Sequence, residues 1–298
     1  MWLIYALIHV FLLAVVSYTD EHLAIHNKLP EKSDIHTKVG SVLIMSTLMC
    51  FVGAFILYLS TRDFSLNSFT AMITAFSAIT MVTYWGTYFY LLQEFPANKV
   101  APLYQLGSIW LLLIELIFGG NISLYGLLGI LTLICGAYVL DIGTFKWQIP
   151  TKLLKTAFPA TSMWAITLFL VRYASKSGSI IPIYFWQLIF TGFIGIILYV
   201  VVSKYREGFL YRIKNQGKMF LSLSAINETF SETSFFFSSL AVVIAPVAAY
   251  VSSMLGVQGV FLLVLMFLFP QGERSKVTKM QVVATVLIAI GVFLIELK

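Results

Sequence analysis

The sequence predicts an all-α integral membrane protein, with ten transmembrane helices arranged as two inverted five-helix repeats over residues 1–145 and 146–298. Three observations predict it: the composition, the recurrence of apolar runs of spanning length, and an echo between the two halves. Hydrophobic residues make up 59% of the 298 and charged residues 11%, against roughly 45–50% and about 25% in soluble globular domains. A soluble core cannot absorb that excess. A hydrocarbon layer needs about 20 mostly apolar residues per helix, and runs of this kind recur along almost the whole chain.

The first run extends from Trp2 to Leu23. It opens without a basic leader and has no A-x-A-like site before Asp20, so it reads as a retained helix rather than a cleavable signal. The second, Val39 to Ser60, lies between Lys38 and Arg62, and the third, Phe69 to Leu92, is followed by Pro96 and Lys99. The fourth, Val100 to Phe118, stops at Gly119 and Gly120, and the fifth, Leu124 to Leu140, stops at Asp141. Lys152 and Lys155 precede the sixth, Ala157 to Tyr173; the seventh, Ile180 to Val202, ends before Lys204. Met219 to Leu240 and Ala245 to Phe269 form the eighth and ninth, and Val277 to Leu297 the tenth. Connections are short, leaving no soluble domain for a separate activity. Pro102 and Pro246 sit near helix starts, where a missing amide donor is tolerated.

Of the 19 Lys and Arg residues, all but Arg62, Arg172, Lys176 and Lys298 fall in the breaks after the odd-numbered helices. The positive-inside rule then places those breaks in the cytoplasm and both termini outside, as expected of a multi-pass protein of the cell (inner) membrane. The net charge of +6 does not gather on one face, which argues against a nucleic-acid partner. Cys50 and Cys135 lie inside apolar runs with no CxxC or His cluster and read as small core residues. No cofactor or metal is expected.

The echo is specific. Ser77 to Tyr90 (SAITMVTYWGTYFY) parallels Ser224 to Phe237 (SAINETFSETSFFF), and Gly136 to Asp141 (GAYVLD) parallels Gly291 to Glu296 (GVFLIE). Five helices per half is an odd number, so the second copy enters the bilayer in the opposite sense, as in secondary transporters that build two gates around one midplane site.

The chain also resembles the drug/metabolite transporter superfamily, in particular its EamA-type ten-helix carriers, over essentially its full length. The resemblance rests on the repeat ends, Phe118 to Leu140 and Phe269 to Ile295, which are similar to the pattern "LGE, short loop, LLG…LI..GV.L". Gly272 and Glu273 match its GE, whereas Gly119 and Gly120 stand there in the first half without the acid. Ser17 to Ala24 (SYTDEHLA) is similar to a first-helix "IDKYLL" pattern, with Asp20 on its acidic position. The resemblance implies export or exchange of small metabolites such as amino acids, amines, drugs, sugars or nucleotide sugars, coupled to protons or to a counter-solute.

Ionisable groups at membrane depth cost a few kcal/mol and therefore face a cavity or a partner. Glu228 and Glu232 are four residues apart and share a helical face. Two carboxylates in a low-dielectric cavity resist joint ionisation, the chemistry that a proton-coupled carrier or a cation site needs. The bland reading is that Glu232 lies in a hydrated vestibule while Asn227 or a hydroxyl satisfies Glu228. On the first helix, Tyr5, His9, Leu13, Val16 and Asp20 form one stripe. His9 reads either as a proton relay or as a helix-to-helix hydrogen bond, and Asp20 as a gate or solute contact.

Aromatic residues are the other signal. Tyr84, Trp85 and Tyr88, with Trp164, Tyr184 and Trp186, could line a cavity for a cation or planar ring, or serve as packing and interfacial anchors. Gln187 and Gln258 read equally as solute contacts and as interhelical glue. Glu115, one turn from a helix end, reads as snorkelling toward the interface.

The function expected is secondary transport of a small polar, zwitterionic or cationic solute by alternating access. A facilitative sugar or nucleotide-sugar exchanger is the runner-up, though it would call for more basic residues to meet phosphate. A non-transporting membrane scaffold is the reading from another class. A membrane enzyme is disfavoured because no HExxH, DxxD or comparable cluster is present, and no spanning run carries a central Lys for a Schiff base. The sequence leaves monomer and dimer undecided.

Overall fold

Backbone amides in a hydrocarbon layer have no water to bond, so a chain this apolar satisfies them within helices. A computed structural model of the protein describes residues 1–26, 33–60, 64–95, 100, 103–142, 150–268 and 278–297, and among these every regular element is helical. The longer helices of the first part are α1 (Trp2–His26), α2 (Ile35–Ser60), α3 (Ser68–Glu94), α4 (Leu106–Ile117) and α5 (Leu124–Ile142). The second group is α6 (Thr151–Ala174), α7 (Ile180–Val201), α8 (Ser203–Ile244), α9 (Ala248–Ser253), α10 (Leu255–Leu268) and α11 (Lys279–Glu296). Among the described residues, seven stretches are long and apolar enough to cross a membrane: α1 through Thr19, α2, α3, α6, α7, Ala248–Leu265 across α9 and α10, and α11. The fold is therefore all-helical and of the membrane type.

Local signals set several ends. Asn67 caps α3 by accepting from the Thr70 amide at 2.8 Å, and Thr278 and Gln281 form a reciprocal capping box on α11.

Two predicted spans differ from the observed helices for identifiable reasons. The eighth, expected to begin at Met219, begins at Ser203, because Tyr205, Phe209 and Ile213 recur at four-residue spacing and pack with Ile44 and Met45 of α2. Gly217, at φ 50°, ψ −131°, turns this polar segment into the apolar one, a conformation that favours glycine. The ninth is divided: α8 ends at Ile244, residues 245–247 form a bend around Pro246, and α9 gives way to α10 at Met254.

Contacts fix the relative directions. His9 meets Ser234 and Thr19 meets Asn227, so α1 and α8 are antiparallel. Thr80 meets Thr167 and Phe69 meets Tyr173, so α3 and α6 are antiparallel as well. Ser46 meets Glu228 and Cys50 meets Glu232, which makes α2 parallel to α8. Helices α2 and α7 cross antiparallel, with Thr47 on Gly195 and Phe51 on Gly192.

At the periphery α5 and α11 form a tight antiparallel pair. Gly129 lies against the Gly291 carbonyl, and Gly136 against the Ala284 carbonyl. In the core, Phe235 is shared by His9, Trp85 and Trp164, at ring separations of 6.3, 5.7 and 5.4 Å.

Candidate functional site

The parallel register of α2 and α8 builds a polar point in the interior. Ser46 and Cys50 are one turn apart on α2, Glu228 and Glu232 one turn apart on α8, and the two pairs face each other rung for rung. The Ser46 hydroxyl donates to Glu228 Oε1 at 2.6 Å. The Cys50 thiol donates to Glu232 Oε1 at 3.2 Å. From α7, the Tyr184 hydroxyl reaches both the Glu232 backbone carbonyl, 2.7 Å away, and Oε2, 3.0 Å away. Glu228 and Glu232 are 8% and 6% exposed, so these donors take the place of water around two acids.

Both carboxylates line a cleft of about 120 Å³ between α2, α7 and α8, with Met49, Gly53, Leu188 and Phe236 on its walls. Small residues keep it open: an added Cβ at Gly53 would lie 3.3 Å from Leu188 Cδ1 and 4.0 Å from Glu232 Cγ.

A second cleft, of about 430 Å³, lies between α2, α3 and α7 and includes His36, Leu43, Thr83, Gly86, Thr87 and Tyr90. The acid-lined cleft uses the C-terminal half of α2 and the N-terminal half of α7, and this one uses the opposite halves. Between them the α2–α7 crossing is closed: a Cβ at Gly195 would sit 2.3 Å from Thr47 Oγ1, and one at Gly192 2.6 Å from the Phe51 ring.

The other predicted residues take varied positions. Asn227 Oδ1 accepts a hydrogen bond from Thr19 of α1, whereas the Asp20 side chain lies outside the described residues. His9 is buried, with Nδ1 3.0 Å from the Ser234 carbonyl and 2.7 Å from its Oγ. A carbonyl only accepts, so Nδ1 carries the proton. Ser234 Oγ in turn donates to the His9 carbonyl at 2.8 Å, and the exchange ties α1 to α8.

Tyr84 stacks on Trp164 at 5.1 Å, and Tyr88 meets Tyr104 edge-on at 5.1 Å. With Trp85 on Phe235, these residues form an aromatic cluster in the core rather than part of the acid-lined wall. Trp186 donates to the Phe64 carbonyl at 2.8 Å and fixes the segment entering α3. Gln187 donates to Ser77 Oγ at 2.9 Å. Gln258 donates to Ser17 Oγ at 2.8 Å, joining α10 to α1.

Glu115 departs from expectation. It does not snorkel: it is 7% exposed, its carboxylate accepts the backbone amides of Ala248 at 2.9 Å and Ala249 at 3.1 Å, and Arg172 stands beside it. The first-turn amides of α9, freed by the bend at Pro246, supply a better partner than the interface does.

Sequence reasoning passed over Ser46 and, for this role, Cys50. Their four-residue spacing on α2, equal to that of the two acids on α8, was the available signal.

No family model and no curated protein matches the chain. A solved structure described only as "Crystal structure of protein" superposes with a TM-score of 0.65 at 11% identity, covering 98% of this chain and 96% of that one. At that identity the likeness speaks to the fold alone.

Proposed function

We propose that the protein is a secondary carrier of the drug/metabolite transporter type, moving a small zwitterionic or cationic organic solute by alternating access. The observation that carries the reading is the Glu228–Glu232 pair on the wall of an interhelical cleft. A pair of buried acids offers a counter-charge to an ammonium group and a place to exchange it for a proton. The acid-rich wall favours such a solute over the phosphorylated ligand of a nucleotide-sugar exchanger.

A ten-span arrangement of two inverted halves is part of the same proposal, with α9 and α10 together as one span. Three features support it. α1 packs antiparallel on α8 as α6 does on α3. α5 and α11, which carry the echoed GAYVLD and GVFLIE, pair antiparallel through Gly129 with Gly291 and Gly136 with Ala284. The two clefts use opposite halves of α2 and α7. In this reading the α2–α7 crossing is the pivot, and the two clefts open in turn to opposite sides of the cell membrane, with the basic connections in the cytoplasm.

The test is counterflow in proteoliposomes over a panel of amines, amino acids and sugars at two pH values. Saturable uptake of an amine or amino acid whose pH dependence disappears in Glu228→Gln is the expected result. An unchanged pH profile in Glu228→Gln removes that residue as the coupling group, and folded protein that transports nothing in the panel favours the scaffold reading.

A further inference from the structure

We propose that the elbow of α8, residues 203–221, seats the headgroup of an anionic phospholipid, with the Arg212 guanidinium as its principal ligand. The inference does not depend on the transport reading, because it concerns the membrane-surface end of the helix and not the acid-lined cleft.

The elbow joins a polar helix to the more apolar segment that carries the acid pair, at Gly217. Its inner face is already occupied: Tyr205, Phe209 and Ile213 pack with Ile44, Met45 and Phe220, and Gly208 abuts the Thr37 carbonyl. The outer face carries Leu210, Tyr211, Lys214, Lys218 and Leu221, all exposed. Two leucines flanking two lysines match the boundary between acyl chains and headgroups, where apolar side chains enter the membrane and ammonium groups stay at phosphate level.

The segment also carries a net positive charge. It contains Lys204, Arg206, Arg212, Lys214 and Lys218 against the single acid Glu207. Lys204 is engaged with Asp34, the residue before α2. Arg212 is largely buried: its guanidinium lies 5.4 Å over the Phe220 ring, and its Nε has no hydrogen-bond partner among the described residues. Burial pulls its pKa down to about 10. A guanidinium desolvated in this way is costly until an anion meets it, and its planar fork fits phosphate. The occupant is a lipid rather than free phosphate because the same elbow exposes Leu210 and Leu221, which give acyl chains a surface to cover.

The test uses the purified full-length chain, delipidated in a neutral detergent and titrated with phosphatidylglycerol, phosphatidylcholine or inorganic phosphate. Phosphatidylglycerol is expected to raise the unfolding temperature by about 5 °C and to survive as a bound lipid in native mass spectrometry. Phosphatidylcholine and inorganic phosphate are expected to do neither. Arg212→Gln should weaken phosphatidylglycerol retention about tenfold, and Lys214→Gln/Lys218→Gln, which alters exposed residues only, several-fold. Equal retention of the two lipids, undiminished retention in both variants, or a shift produced by inorganic phosphate alone would each overturn the proposal. If Arg212→Gln does not fold, the lipid comparison on the native chain and the double lysine variant decide the matter.

Discussion

Arg172 Nη1 stands 3.4 Å from Glu115 Oε1, and the same guanidinium donates to the carbonyls of Val242 at 3.2 Å and Pro246 at 2.9 Å. One ion pair thus joins α4, α6 and the bend between α8 and α9, and Glu115 closes the arrangement by accepting the first amides of α9. Neither charge is placed for solvation alone: each satisfies backbone groups that the Pro246 bend leaves without helical partners.

Glu115→Ala should therefore cost about 3 kcal/mol, the low end of the range for a buried pair because Arg172 keeps some exposure. Arg172→Ala should cost a similar amount, and the double variant clearly less than the two costs added, with a coupling of about 1 kcal/mol or more. Unfolding of the four proteins in one detergent measures the cycle. Additive costs would mean that the two side chains act separately.

The α5–α11 pair depends on absent side chains. A Cβ at Gly129 would fall 2.7 Å from Ile295 Cγ1 and 2.8 Å from the Gly291 carbonyl, and one at Gly136 2.8 Å from Ile288 Cγ1. Backbone cannot yield as a flexible side chain can, so Gly129→Val or Gly136→Val should destabilise by about 1–3 kcal/mol. Gly178, whose Cβ would meet nothing within 4 Å, is the control, and Gly178→Ala should be neutral or stabilise by up to about 1 kcal/mol. Thermal unfolding ranks the three, and a Gly178→Ala penalty equal to the others would refute the steric account.

Asp34, just ahead of α2, and Lys204, at the start of α8, hold the two helices together. The hydrogen bond from Lys204 keeps the Asp34 carboxyl below its ordinary range, and its partner lies above the usual lysine value. A depressed carboxylate stabilises the fold above its unfolded pKa, about 3.9, and that contribution is lost as pH falls through the lower folded value. Lys204 acts oppositely: its contribution is complete below about 10.4 and is lost above it. Asp34→Asn should therefore lower stability slightly at neutral pH and leave the acid extreme unchanged, which flattens the limb below about pH 4. Both groups are exposed, so the effect should be small and fade in high salt.

The all-helical membrane fold was legible because it follows from composition and run length. Less legible was everything that depends on which helices touch. Residues 203–216 read as a charged connection because Lys and Arg dominate, and only contact with Ile44 and Met45 turns the spacing of Tyr205, Phe209 and Ile213 into a docked helix. Glu228 and Glu232 announced themselves as acids within a run expected to span the membrane. Their donors did not, since Ser46 and Cys50 are ordinary small residues until the parallel register of α2 and α8 aligns them. The Glu115 assignment failed for a related reason: a bend 130 residues away, not the distance to the interface, decides where its carboxylate goes.

That alignment yields the prediction closest to function. Glu232 is held from two sides, by Cys50 at Oε1 and by Tyr184 at Oε2 and the backbone carbonyl. The phenol has one proton, so it serves either the carboxylate or the carbonyl at a given moment, and in the proposed carrier a solute ammonium approaching Oε2 would compete for the same oxygen. Removing that donor in Tyr184→Phe should weaken the positioning of Glu232 by about 1.5 kcal/mol, the scale of a hydrogen bond to a charged group, and change the KM for counterflow about tenfold. Cys50→Ser retains a donor and should stay near the native KM, whereas Cys50→Ala should shift it by a smaller factor in the same direction as Tyr184→Phe. Unfolding temperatures of the three variants separate positioning from damage to the fold. Native KM and an unaltered pH profile in folded Tyr184→Phe would show that Glu232 needs no support from α7, and the acid-lined cleft would then lose its claim to the solute.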